Sequence, residues 1–76
     1  MNARRRKTLR RAVMHLETAS LIMRDITDNE QDSLDNMPEN LSGGIRYEEM
    51  EEGIEVLEDS VERIDDTIND LTERFL

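Results

Sequence analysis

The residues best suited to chemistry cluster at one break in the chain, Gly43-Gly44-Ile45-Arg46-Tyr47. Two glycines ahead of an apolar repeat leave backbone N–H groups free at a helix start, and the Arg46 guanidinium beside them makes an anion site. Tyr47 offers a stacking surface for a base. Together with Asn36, Asn40 and Ser42, the residues Gly43, Gly44, Arg46 and Tyr47 form the candidate ligand-binding set. A plainer reading stands beside it, in which the glycines turn the chain, Arg46 offsets local acids and Tyr47 closes a helix seam.

Elsewhere the pattern argues against catalysis. Nucleophilic and acid–base mechanisms need groups that are oriented by one another and held dry enough to shift their pKa, whereas most ionisable residues here fall on solvated faces. His15 is a single histidine and there is no cysteine. The acid run Asp25, Asp28, Glu30, Asp32 lacks the glycine and terminal glutamate of a calcium loop, and no Glu-x-x-His pair supports a di-iron bundle, so neither metal nor cofactor is expected. The basic run Arg4, Arg5, Arg6, Lys7, Arg10, Arg11 suits phosphates, but no base-reading or stacking residues are interleaved with it. Pairing with acids of the same chain or of a second subunit is the expectation there, ahead of nucleic acid. The dense acids from Glu48 to Asp70 are either a solvated coiled-coil surface or a rod imitating the phosphate track of DNA.

The elements that position these residues follow from one repeat. Tyr47, Met50, Ile54, Leu57, Val61, Ile64, Ile68, Leu71 and Phe75 alternate steps of three and four without a slip, a heptad seam of four repeats. A helix over about 45–75 follows. Leu9, Ala12, Leu16, Ala19, Met23 and Ile26 carry the same spacing, with Leu34 returning near the same angle, so a first helix is expected over about 3–35. Pro38 and the glycine pair end one helix and begin the other, with positive φ available to the glycines and Gly44 or Ser42 as N-cap. The fold expected is therefore all-α, a single domain over 1–76 built as a long antiparallel two-helix hairpin with a loop at about 36–44. Each arm is roughly 45 Å long at 1.5 Å per residue.

Seventy-six residues are too few for a comfortable core, and no disulfide or metal supplements it. Self-association into a homodimer or homotetramer, a helical bundle, is expected instead. Met14, Leu21 and Ile22 lie off the first helix's stripe and would contact another subunit together with Ile54, Leu57, Val61, Ile64, Ile68 and Leu71. Charge points the same way. Residues 1–24 carry a net +6 and the rest −15, within an overall −9. The loop end, residues 25–58, holds −11, while the open end, 1–24 with 59–76, holds +2. An antiparallel dimer sets one subunit's basic arm near the other's acidic loop. No run of eighteen apolar residues or signal-type h-region occurs, so a soluble, intracellular protein without a membrane partner is expected.

The run from Ile26 to Leu71, through Asp35-Asn36-Met37-Pro38-Glu39-Asn40-Leu41 and Arg46-Tyr47-Glu48, resembles small acidic proteins encoded by phages and mobile elements of gut Firmicutes. Members usually carry serine where Gly44 stands, which implies a less firmly capped second helix here. No activity comes with the resemblance. It implies a mobile-element setting in the cytoplasm of a bacterial host cell, where small non-enzymatic proteins counter host defences. On that footing the first expectation is a binding protein that sequesters a nucleotide-like immune signal at the inter-helix loop of an oligomer. The alternatives are an acidic DNA mimic that inhibits a host nucleic-acid-handling or defence protein, and a structural coiled-coil adaptor.

Overall fold

The heptads are realised as a pair of long helices. In the computed structural model, which describes residues 1–76, α1 runs Ala3–Asp35 and α2 runs Ile45–Phe75, joined by a single 3-10 turn at Glu39–Leu41. The two helices pack against each other as an antiparallel hairpin, and there are no strands. The particle measures 59 × 15 × 13 Å with a radius of gyration of 17.3 Å. A compact chain of this length would have a radius near 11 Å, so the hairpin is a rod. Neither helix is long and apolar enough to cross a membrane.

Local chemistry sets the ends. The Asn2 side chain accepts the Arg5 N–H at 2.8 Å and so satisfies one of the free donors of α1. At the other end the Asn36 N–H (3.0 Å) and its side-chain amide (2.8 Å) both donate to the Asp32 carbonyl. Pro38, at φ −57°, cannot continue the ladder, and the chain turns through Leu41 N–H to Pro38 O at 2.9 Å and Ser42 N–H to Glu39 O at 3.2 Å. Gly44 is the N-cap of α2, with φ −86° and ψ 168°. The positive φ expected of the glycine pair is not used, because no residue in the chain has one. The 3-10 turn reverses the chain within ordinary backbone conformations.

The α2 seam packs as its spacing requires: Ile54 and Val61 are buried and Tyr47, Met50, Leu57, Ile64, Ile68, Leu71 and Phe75 are half-buried. The register of α1 differs from the expectation. Leu9, Leu16 and Met23 do face α2, but the residues that alternate with them are Val13, Ser20 and Thr27, four positions on, and not Ala12, Ala19 and Ile26, three positions on. Val13 and Ser20 are buried and Thr27 is half-buried, whereas Ala12 and Ile26 are exposed and Ala19 is half-buried on the flank. The hydroxyls tolerate the seam because each has a partner: Thr27 donates to the Met23 carbonyl at 2.7 Å and Ser20 to Asp65 at 2.7 Å.

Only five of the 76 residues are buried, namely Val13, Ser20, Leu34, Ile54 and Val61. Exposed apolar side chains outnumber them. Met14, Leu21, Ile22, Ile26, Leu41, Ile45 and Val56 all lie more than two-fifths open to solvent. The α1 register has a direct check, since removing two buried methyl groups should cost about 2 kcal/mol, or on the order of 10 °C in Tm. Val13→Ala is expected to show that loss in a thermal melt, and a silent substitution would contradict the register.

Candidate functional site

Two places gather polar side chains, one at the loop and one midway along the hairpin. At the loop, Asn36, Asn40, Gly44 and Arg46 line an open groove of about 490 Å³, floored by Met37, Pro38, Leu41 and Met50. Three of the seven candidate ligand residues lie outside it. The Ser42 hydroxyl turns back to the Glu39 carbonyl at 2.8 Å, Gly43 has no contact with the groove, and Tyr47 is half-buried in the seam.

The groove has real donors. The first N–H of α2 to bond back along the helix is that of Glu48, to the Gly44 carbonyl at 3.2 Å, and Gly44 offers no side-chain cap. The amides of the first turn therefore face out of the helix end with its partial positive charge. Arg46 forms no salt bridge, because the single ion pair in the hairpin is Arg24 with Asp65. Arg46 thus does not offset a local acid by direct pairing. Glu30 and Glu49 nevertheless line the adjoining groove with it, so its surroundings are acidic.

The second place was not foreseen in the heptads. Ser20 donates to Asp65 Oδ1 at 2.7 Å, Arg24 pairs with Asp65 Oδ2 through Nη2, and Arg24 Nε reaches Ser20 Oγ at 3.4 Å. One turn of α1 is tied to one carboxylate of α2. The hydrogen bond from the Ser20 hydroxyl lowers the Asp65 carboxyl below its ordinary value of 3.8, desolvation opposes it, and the Arg24 guanidinium lowers it further. The only signal in the sequence was a serine at a seven-residue spacing between Val13 and Thr27. Around this cluster an open groove of about 300 Å³ carries Asp28, Glu58, Glu62 and Asp66 as well as Asp65, with Arg24 their one counter-charge. No three side chains of the hairpin converge to hold a cation.

The basic arm finds no acid to pair with inside its own chain. Arg4, Arg5, Arg6, Lys7, Arg10 and Arg11 are exposed and none pairs with Asp65, Asp66, Asp70 or Glu73 within the chain. Of the proposed oligomer residues, Met14, Leu21 and Ile22 are exposed, whereas Ile54 and Val61 are buried against α1 and Leu57, Ile64, Ile68 and Leu71 are half-buried on the same seam.

Comparison with protein-family models, curated proteins and solved structures gives no match for this chain. The geometry alone therefore carries the functional reading.

The clamp makes a prediction about pH. A carboxyl whose folded-state pKa is depressed adds stability above its unfolded value, and that stability is lost as pH falls through the folded value. The Tm advantage of the native chain over Asp65→Asn should therefore be present at pH 7 and shrink as pH falls below about 4. Taking the difference removes the titration shared by the other acids. An advantage that stays constant down to pH 2 would show that Asp65 is not held ionised by its partners.

Proposed function

We propose that this chain is a non-enzymatic binding module that acts by stoichiometric association, its unfinished core completed by helices of other subunits. The observation that carries this reading is the balance of burial. Five residues are buried, whereas Met14, Leu21, Ile22, Ile26 and Val56 expose apolar side chains along the middle of the rod. A chain this small cannot offset the entropy of ordering 64 helical residues with four buried apolar side chains. The chemistry of the mid-hairpin cluster fits the same reading. Its carboxylate is held ionised by two donors, which suits it to pin one helix against the other and makes it a poor proton acceptor.

Association that completes a core makes stability depend on concentration. Tm is expected to rise by about 4 °C for each tenfold increase in protein when two chains unfold together. A fully helical chain whose Tm does not change with concentration would overturn the reading.

A second reading is favoured by the convergence of Asn36, Asn40, Gly44 and the unpaired Arg46 on the loop groove. In it the associated protein sequesters an anionic, nucleotide-like ligand there, which in a mobile-element setting would serve counter-defence. Its obstacle is electrostatic, since the loop end carries −11 and needs basic groups from a neighbouring subunit. Isothermal titration with cyclic dinucleotides and ADP-ribose is expected to show binding that falls at least tenfold in Arg46→Ala while helix content is unchanged. Binding that survives the substitution would rule out the groove.

A further inference from the structure

The two broad sides of the hairpin are chemically different, and that difference selects a docking face. Residues seven apart on a helix lie on one flank, so Ala12, Ala19 and Ile26 share a line, with Ile22 beside it. Ile26 lines a side groove together with Gly53 and Leu57 of α2, and the next groove along that helix is lined by Leu16, Ser60, Ile64 and Thr67. This side is small and apolar. From Ala12 to Ile26 its α1 strip contains no Asp, Glu, Lys or Arg, and the charged groups that line its two grooves are Glu30, Arg46, Glu49 and Arg63. The opposite side also exposes Leu21, but there it is flanked by Glu17, Asp28, Glu58, Glu62 and Asp66 around the Arg24–Asp65 pair.

Resting on the half-bundle reading above, we propose that the occupant of the small-residue face is a second copy of this chain, laid antiparallel across it to make a four-helix bundle. Three observations support it. Meeting through the other side would set five carboxylates and one arginine of each copy against their equivalents, which is repulsive. The basic arm of each chain finds no partner within its own hairpin, and the loop end at −11 is equally unpaired. A parallel pair stacks −11 on −11, whereas an antiparallel pair lays Arg4 to Arg11 over the partner's loop. Size agrees as well: a face of 59 by 15 Å is on the order of 900 Å², close to the ~800 Å² per partner of a standard interface.

The two-fold axis of such a pair passes through the middle of the rod. Ala19 is the midpoint of Ala3–Asp35 and Ser60 that of Ile45–Phe75. Both are small, which lets the backbones approach closely. The pairing is isologous, so Ala19 lies near its own counterpart. Ala12 stands seven residues off the axis, and the two copies of it are about 21 Å apart at 1.5 Å per residue.

The chain has no native cysteine, so single substitutions report geometry directly. Under mild oxidation Ala19→Cys is expected to form a disulfide-linked dimer. Ala12→Cys and Leu21→Cys are expected to remain monomeric on a non-reducing gel, since thiols on Cα atoms more than about 7 Å apart do not bridge. In sedimentation equilibrium Ile22→Glu should weaken the dimer at least tenfold, with circular dichroism as the check on folding. Cross-linking through Ala12→Cys would contradict the antiparallel register, and cross-linking through Leu21→Cys would show the opposite face. Either result, or no cross-link in any variant, overturns the proposal. A chain that still sediments as an oligomer then loses only this face and orientation, whereas a folded monomer also retires the half-bundle reading.

Discussion

A helix in a two-helix hairpin has one neighbour, and it can bury only the strip of side chains facing that neighbour. Every other feature of this molecule follows from that limit. Four apolar side chains and one hydroxyl are buried, and the particle remains a rod 59 Å long instead of a globule. The heptad spacing of α2 keeps its strip narrow and continuous, which aligns the helices but also leaves their flanks open. Apolar residues outside that strip, Met14, Leu21, Ile22, Ile26 and Val56 among them, have no cover within the chain.

Within so thin a core, polar contacts decide register. Purely apolar seams slide, because Leu and Ile can exchange holes with little loss, whereas a hydroxyl in the seam must keep its acceptor. Ser20 has one such acceptor in Asp65, and Arg24 closes the same carboxylate from the next turn. The clamp sits near the middle of α1, where it limits sliding in either direction. An exposed ion pair alone contributes little. The shared Ser20 hydroxyl, itself buried, makes the contact specific.

The hairpin and the whole α2 seam were legible from spacing, because Ile, Leu, Val, Met or an aromatic fills every seam position from Tyr47 to Phe75. The α1 seam was ambiguous for a physical reason. Leu9, Leu16 and Met23 belong to two registers, and counting apolar residues favours the one with Ala12, Ala19 and Ile26. The chain takes the other, where Val13 buries more surface than alanine and the hydroxyls of Ser20 and Thr27 are satisfied by Asp65 and the Met23 carbonyl. Four of the seven loop residues were legible too: Asn36, Asn40, Gly44 and Arg46 meet, while Gly43 lies outside the groove and Ser42 and Tyr47 are drawn off by the 3-10 turn and the seam. The Ser20–Asp65 contact was out of reach, since it depends on which α2 residue stands opposite which α1 residue.

Lateral completion of the bundle is tested most directly by small-angle X-ray scattering across a concentration series, which reads mass and length together. Side-by-side association predicts a mass of at least twice the 8.9 kDa chain with a longest dimension that stays near that of the single hairpin, 59 Å between Cα extremes. A single-chain mass with the hairpin's own 17.3 Å radius of gyration at every concentration would contradict it.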